Sequence, residues 1–176
     1  MKKFILVFCV ASSILMSCVT ASVVSNRSPE IEEKIERLYV TMNGAPKSKM
    51  FFNSFSRELA NEMELRNVDA EFQVFNELSL ETEDDLLNKV IKFGPNYVMT
   101  IHQTERRTTV ALITHPGATF DIKLIDPTTD KIVWRGSLKT DTVSELSEGA
   151  KISAKKLIQK LTMDGILSNP TPGFSN

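Results

Sequence analysis

The feature that most constrains the fold is a strand pair followed by an amphipathic helix in the C-terminal half of the chain. In the segment FDIKL, residues 120–124, apolar side chains alternate with charged ones, which predicts a strand with one buried and one partly wet face. Pro127 opens a tight turn to a second strand, because proline presets the first central dihedral angle of such turns. On that second strand, we expect Ile132 and Trp134 to continue the buried face.

Three segments have the periodicity of amphipathic helices. Residues 47–67 space their apolar side chains four apart, and Ser48 is the expected N-cap. Residues 82–95 have Thr82 as a cap candidate, acidic residues in the first turn, and a Gly-Pro pair at the end. Residues 144–167 place apolar residues on one side and lysines on the other.

Together with strands near residues 35–44, 70–77 and 97–104, these segments give the order β-α-β-α-β-β-β-α. This order predicts an α+β domain, a mixed sheet of about five strands with helices on one face. We expect the domain to span residues 29–167 and residues 168–176 to form a disordered tail.

The N-terminal segment, residues 1–17, predicts an export signal. Lys2 and Lys3 precede an apolar run that is shorter than the ~20 residues a spanning helix needs. The run ends in LMSC, which resembles the bacterial lipobox and implies cleavage before Cys18 and acylation of its thiol. Cys9, the only other cysteine, leaves with the signal, and avoiding free thiols is typical of exported proteins.

Residues 18–28 are predicted to be a lipidated tether between membrane and domain. One acyl chain anchors a protein only marginally. The three chains that the lipobox resemblance implies would make the anchor effectively permanent. Val19 stands where Asp marks inner-membrane retention in well-studied proteobacteria, which favours an outer-membrane address. The alternative is a conventional signal with an incidental cysteine at position 18.

The segment FDIKLIDPTTDKIVWRGS, residues 120–137, followed by a lysine-rich helix, resembles a group of small bacterial lipoproteins of unknown function. Their fold is similar to the N-terminal domain of the periplasmic protein TolB, to CsgG and to the lipoprotein activator of penicillin-binding proteins. The resemblance covers residues 30–167 and implies a non-catalytic domain that binds or helps to assemble another envelope protein.

No motif for catalysis or cofactor binding stands out in the sequence. His102 and His115 are the only histidines, and four-ligand zinc sites usually need cysteines that a mature chain starting at Cys18 does not offer. The sequence has neither a G-x-S-x-G elbow nor a glycine-rich phosphate loop. We therefore expect no enzyme activity, no metal and no cofactor, and the net charge of −1 disfavours nucleic acid as a partner.

Two basic features are candidate contact surfaces. One is the polar face of the last helix, which would lie against anionic head groups or simply be solvated. Its residues are Lys151, Lys155, Lys156 and Lys160. The other is Arg106 and Arg107 with His115, a candidate partner contact if the strand bulges there, since adjacent strand residues otherwise point to opposite faces. A guard against edge-to-edge aggregation is the alternative role for the arginines.

Two further functions remain possible at this level. One is a carrier or sensor of a small apolar ligand, with phenylalanines as the pocket lining in place of core packing. These residues are Phe51, Phe52, Phe55 and Phe72. The other is a hydrolase acting on cell-wall or secreted material. The sequence predicts neither the identity of a partner nor an oligomeric state.

Overall fold

The structure, a computed structural model, describes residues 20–29, 31, 33–75, 80–107, 117–141 and 146–170. The predicted signal segment 1–17, the predicted lipidation site Cys18 and His115 lie outside these residues. Among the helices that the structure describes, none is long and apolar enough to cross a membrane.

The described chain forms six strands and three helices. In chain order they are β1 (Thr20–Arg27), β2 (Arg37–Asn43), α1 (Lys49–Glu64), β3 (Asp69–Val74), α2 (Glu83–Phe93), β4 (Tyr97–Arg107), β5 (Gly117–Asp126), β6 (Lys131–Asp141) and α3 (Leu146–Met163). The strands form one sheet in the order β1-β6-β5-β4-β2-β3. The strand β2 is parallel to β3 and β4, and the other neighbours are antiparallel. The predicted α+β class with a mixed sheet is confirmed.

The sheet has one strand more than predicted, and the extra strand corrects the tether prediction. Thr20–Arg27, expected to be a flexible connection, is the edge strand β1 and pairs antiparallel with β6. Ala21 and Val23 pack against the hydrophobic core. The segment TASVVSN has the composition of a linker because most of its residues are small or polar, so the alternation of a strand is weak in the sequence.

The hydrophobic core lies between one face of the sheet, the covered face, and the helices α1 and α3. Its fully buried sheet residues are Leu38, Val40, Met42, Met99, Ile101, Phe120, Ile122, Leu124, Trp134 and Leu138. The ring of Phe120 stacks on Phe51 with centroids 5.0 Å apart and meets Phe52 edge-on at 5.7 Å. Aromatic packing therefore joins the middle of the sheet to the start of α1.

The prediction that all helices share one face is wrong for α2. The ring of Phe93, at the end of α2, contacts Tyr39 with centroids 5.9 Å apart, and the Arg37 guanidinium lies 4.6 Å from the same ring. Tyr39 alternates with Leu38 and Val40, which face α1 and α3, so α2 lies on the opposite side. Strand order explains this placement. The crossovers β2-α1-β3 and β3-α2-β4 run in opposite directions across the sheet, and both must be right-handed.

The predicted alternation on β6 also fails at its first residues. Ile132 is 48% exposed, whereas Val133 and Trp134 are both buried. The pairing of β5 with β6 shifts register between Leu124 and Ile125, which inserts an extra residue opposite this point. The bulge therefore turns two consecutive side chains inward.

Helix ends follow the sequence signals at α2 but not at α1. Thr82 and Asp85 form a complete capping box at the start of α2, and Gly94 ends the helix with a φ of 64°. Ser48 occupies the N-cap of α1 but makes no capping hydrogen bond. Its hydroxyl donates instead to Oε1 of Gln103, 2.7 Å away, which ties the helix start to β4.

Candidate functional site

The open face is the side of β1, β6, β5 and β4 that points away from α1 and α3. Its residues are Ser22, Val24, Asn26, Thr100, His102, Thr119, Asp121, Lys123, Arg135, Ser137 and Lys139. In the part of the chain that the structure describes, no helix packs on these four strands from this side. On this side the ring of Phe93 from α2 contacts Tyr39 of the neighbouring β2, and the open face consists of the four strands beyond β2.

Charged pairs across the strands dominate the middle of the open face. Asp121 accepts two hydrogen bonds from the Arg135 guanidinium, at 2.9 and 3.1 Å, and Nζ of Lys123 lies 3.9 Å from the same carboxylate. The hydrogen bonds and charge of Asp121 raise the pKa of Arg135. Exposed ion pairs of this kind contribute little to stability. They fix the positions of charged groups that another molecule can meet.

The arginine pair follows a bulge in β4. The pairing of β4 with β5 shifts register between Gln103 and Glu105, and Arg106 then lies opposite Ala118 and Arg107 opposite Gly117. The side chain of Arg106 is exposed. The bulge lies before the arginines, and Arg106 and Arg107 are themselves in regular pairing, so as adjacent strand positions they lie on opposite faces of the sheet. His115, the third member of the predicted contact, lies outside the described residues.

The four lysines of the last helix do not behave alike. Lys151, Lys155 and Lys156 are exposed on α3. Lys160 is half-buried, and its Nζ lies 2.7 Å from Oδ1 of Asp164. The predicted basic face thus has three solvated members and one that takes part in the internal structure.

Asp164 is the centre of a polar cluster that sequence reasoning missed. Its carboxylate accepts hydrogen bonds from the Ser25 hydroxyl at 2.6 Å, the Trp134 indole N–H at 2.8 Å and Lys160 at 2.7 Å. Partial burial alone would raise the pKa of Asp164, but the bonds from Lys160, Ser25 and Trp134 together hold it below its usual value. A buried tryptophan N–H needs an acceptor, which was the available signal. The cluster joins β1 to the end of α3.

The histidines show no sign of a metal centre in the described chain. His102 is exposed on the open face, in register with Asp121. Among the described residues, no group of three or more His, Cys, Asp and Glu side chains is placed to hold a metal ion.

The phenylalanines that were candidates for a ligand pocket pack in or against the core. Phe51, Phe52 and Phe55 are buried and stack on one another and on Phe120, while Phe72 is half-buried. A small pocket of about 80 Å³ lies beside Phe52 and is also lined by residues 44–46, Lys49, Val74 and Phe75.

Two open grooves lie elsewhere on the molecule. A groove of about 380 Å³ follows the end of β1 and the start of β6, where Ile132 is exposed. Another, of about 350 Å³, lies beside α2 and is lined by Arg37, Glu71, Lys89, Lys92 and Phe93. In the second groove, the cations are balanced by acids, since Arg37 pairs with Asp69 and Lys89 with Glu81.

No family model matches the chain, and no curated protein matches it. The solved structures similar to it include the PelC dodecamer from Paraburkholderia phytofirmans, with a TM-score of 0.54 and 17% identity over 79% of this chain and 96% of that chain. A point variant of the same PelC dodecamer has a TM-score of 0.55 and 16% identity with the same coverage. At these identities the likeness shows the fold alone. The resemblance to TolB-like envelope domains stays a prediction.

Proposed function

We propose that the protein is a non-catalytic envelope lipoprotein, anchored through Cys18, that binds or helps to assemble another envelope protein. The anchor lies in the outer membrane, because Val19 and not Asp follows Cys18. The partner docks on the open face of the sheet. No cofactor takes part in this activity.

The observation that carries the proposal is the open face itself. One side of the sheet is fully packed, and the other is a wide, charged surface on which no described helix packs against β1, β6, β5 or β4. Val24, 66% exposed, and Ile132 add apolar surface around the charged middle. A patch with apolar points and fixed charges has the composition of a protein-binding surface.

The likeness to PelC supports the same class of function. PelC forms a dodecamer, so a domain with this fold is compatible with stable contacts between proteins.

An apolar-ligand carrier is less well supported by the geometry. The phenylalanines expected to line its pocket pack against Phe120 and the core instead. A hydrolase would need a nucleophile or acid–base pair in a cleft. The two grooves described above are shallow and open, and neither brings together such a pair among the described residues.

Site-specific photo-cross-linking in living cells tests the proposal. A photoreactive amino acid would replace Lys123 on the open face or, as the control, Lys156 on the exposed side of α3. We expect a discrete adduct of defined mass from position 123 and none of that mass from position 156. The same label in a Cys18→Ala chain should lose the adduct, because the protein leaves the membrane.

The intact mass of the mature protein is the accompanying measurement. Acylation at Cys18 should add the mass of the lipid, and Cys18→Ala should remove it. A lipid-free mature chain cut elsewhere contradicts the anchor. Acylated protein that gives no adduct from position 123, or the same adduct from position 156, contradicts docking on the open face.

A further inference from the structure

We infer that one end of the sheet, the anchor end, rests on the bilayer surface with the strands standing away from it. The anchor end is the row of paired residues Thr20, Asp141, Gly117 and Arg107 on β1, β6, β5 and β4. The inference rests on the proposed function, because it takes Cys18 to be acylated. It adds an orientation and a contact surface that the anchor alone does not give.

The length of chain between the anchor and the fold is the first argument. The strand β1 begins at Thr20, two residues after Cys18. Two residues span at most about 7 Å even when fully extended. An acylated Cys18 therefore holds the start of β1 within about that distance of the lipid head groups, whereas the predicted eleven-residue tether would have left the domain free to turn.

The second argument is that β1 is fixed to the rest of the domain along its length. Eight residue pairs join it to β6. At its far end, the hydroxyl of Ser25 donates to the Asp164 carboxylate, and the Arg27 guanidinium donates to the Asp164 carbonyl at 2.7 Å. The strand is thus held at both ends, so the whole domain takes the orientation that its first residue imposes.

A cationic side chain, Arg106, also lies near the anchor end. Neighbouring strands are about 4.8 Å apart, so the row from Thr20 to Arg107 extends about 14 Å along the membrane. The exposed Arg106 lies one residue further in on β4. A cation at this level meets anionic head groups. Arg106 is then a lipid contact, while protein docking uses the charged pairs farther up the open face.

The orientation also bears on the lysine face of α3, the membrane contact that the sequence predicted. Asp164, just after α3, contacts the end of β1, so the helix runs alongside β1 and in the same direction. At 1.5 Å per residue, Lys151 lies about 8 Å from the start of α3 and Lys160 about 21 Å. The lysines therefore rise away from the bilayer, and they would touch it as a group only if the domain lay on its side.

Fluorescence quenching by head-group nitroxide lipids tests the orientation. The full chain is produced in a bacterial host, purified with its acyl chains and placed in vesicles of three parts phosphatidylcholine to one part phosphatidylglycerol. Since acylation would occupy the thiol of Cys18 and Cys9 leaves with the signal, an introduced cysteine is the only one open to a dye. The matched variants are Lys139→Cys near the anchor end and Lys131→Cys at the far end of the same strand. Lys156→Cys reports the side of α3.

We expect the dye at position 139 to be quenched several-fold more than the dye at position 131, with position 156 between them. Equal quenching at 139 and 131 overturns the orientation, because the domain then turns freely on its anchor. Strongest quenching at 156 also overturns it and shows a domain lying on α3. Intact mass separates these results from a failure of the anchor. A lipid-free chain contradicts both proposals, whereas an acylated chain with the wrong quenching pattern contradicts only this one.

Discussion

The two faces of this sheet are built from alternate residues of the same strands, yet they have opposite character. On the covered face, Phe120, Ile122 and Leu124 are at most 1% exposed and pack under α1 and α3. On the open face, their neighbours Asp121 and Lys123 form a charged group with Arg135. The difference shows that the two-residue period of a strand places the packing residues and the charged residues on opposite faces.

This separation has a practical meaning for mutagenesis. A substitution on the covered face should change folding before it changes any contact with another molecule. A substitution on the open face should do the reverse, since no described helix packs on the four strands from that side. The following three variants test this contrast, beginning with the largest expected effect on stability.

Phe120→Ala should cause the largest loss of stability, because Phe120 contacts the rings of both Phe51 and Phe52. Removing a buried aromatic ring typically costs about 3–5 kcal/mol of unfolding free energy. Urea unfolding followed by the fluorescence of Trp134, the only tryptophan, measures it. A loss below about 1 kcal/mol would be that of a surface substitution and would break the contrast between the faces. Lys123→Ala, three residues further along the same strand and on the open face, is the control.

Asp164→Asn should cause an intermediate loss of unfolding free energy. It measures how much the polar groups on the covered side contribute to stability. Hydrogen bonds to a charged group contribute about 1.5–3 kcal/mol. Because the pKa of Asp164 is lowered in the folded protein, its contribution is complete above the pKa of an unfolded aspartate and is lost as pH falls through the folded value. Unfolding of the wild type below about pH 4 should therefore depend more steeply on pH than that of the variant.

The measurement for Asp164→Asn is urea unfolding by circular dichroism at neutral pH and at several acidic values. Asp84→Asn, an exposed carboxylate in the first turn of α2, is the matched control and should change little. Parallel pH curves for wild type and Asp164→Asn would show that the cluster does not contribute through its charge.

Arg135→Ala should have the smallest effect on stability, although it removes two hydrogen bonds to Asp121. The Arg135 side chain is 61% exposed, so in the variant water can replace most of the hydrogen bonds that Asp121 loses. The urea midpoint should stay within the error of the wild type. The cross-linked adduct from the open face should weaken at the same time. A large fall in the midpoint would mean that the ion pairs hold the sheet together, and the contrast would fail.

Sequence alone was sufficient where one residue pattern decides the structure. The alternation in FDIKL predicted β5, and the signals at Thr82 and Gly94 predicted both ends of α2. It was insufficient where structure depends on distant partners. The strand β1 forms because β6 offers it an edge, and its small residues give little local signal.

The candidate surfaces were predictable only in part, for the same reason. The lysines and arginines were visible as charges, but the bulge in β4 lies before Glu105 and leaves both arginines in regular pairing. The side of the sheet on which α2 lies depends on the strand order, and strand order cannot be read from the sequence. Asp164 was missed because two of its three donors, Ser25 of β1 and Trp134 of β6, are far from it in the chain.

The edge position of β1 has a mechanical consequence. A force applied at residue 18 enters the domain along the axis of a strand whose hydrogen bonds to β6 lie across that axis. When the opposing load acts elsewhere on the sheet, all eight residue pairs resist in shear at once instead of opening one after another. A chain joined to a membrane at this point is therefore suited to bearing tension between the membrane and whatever it holds.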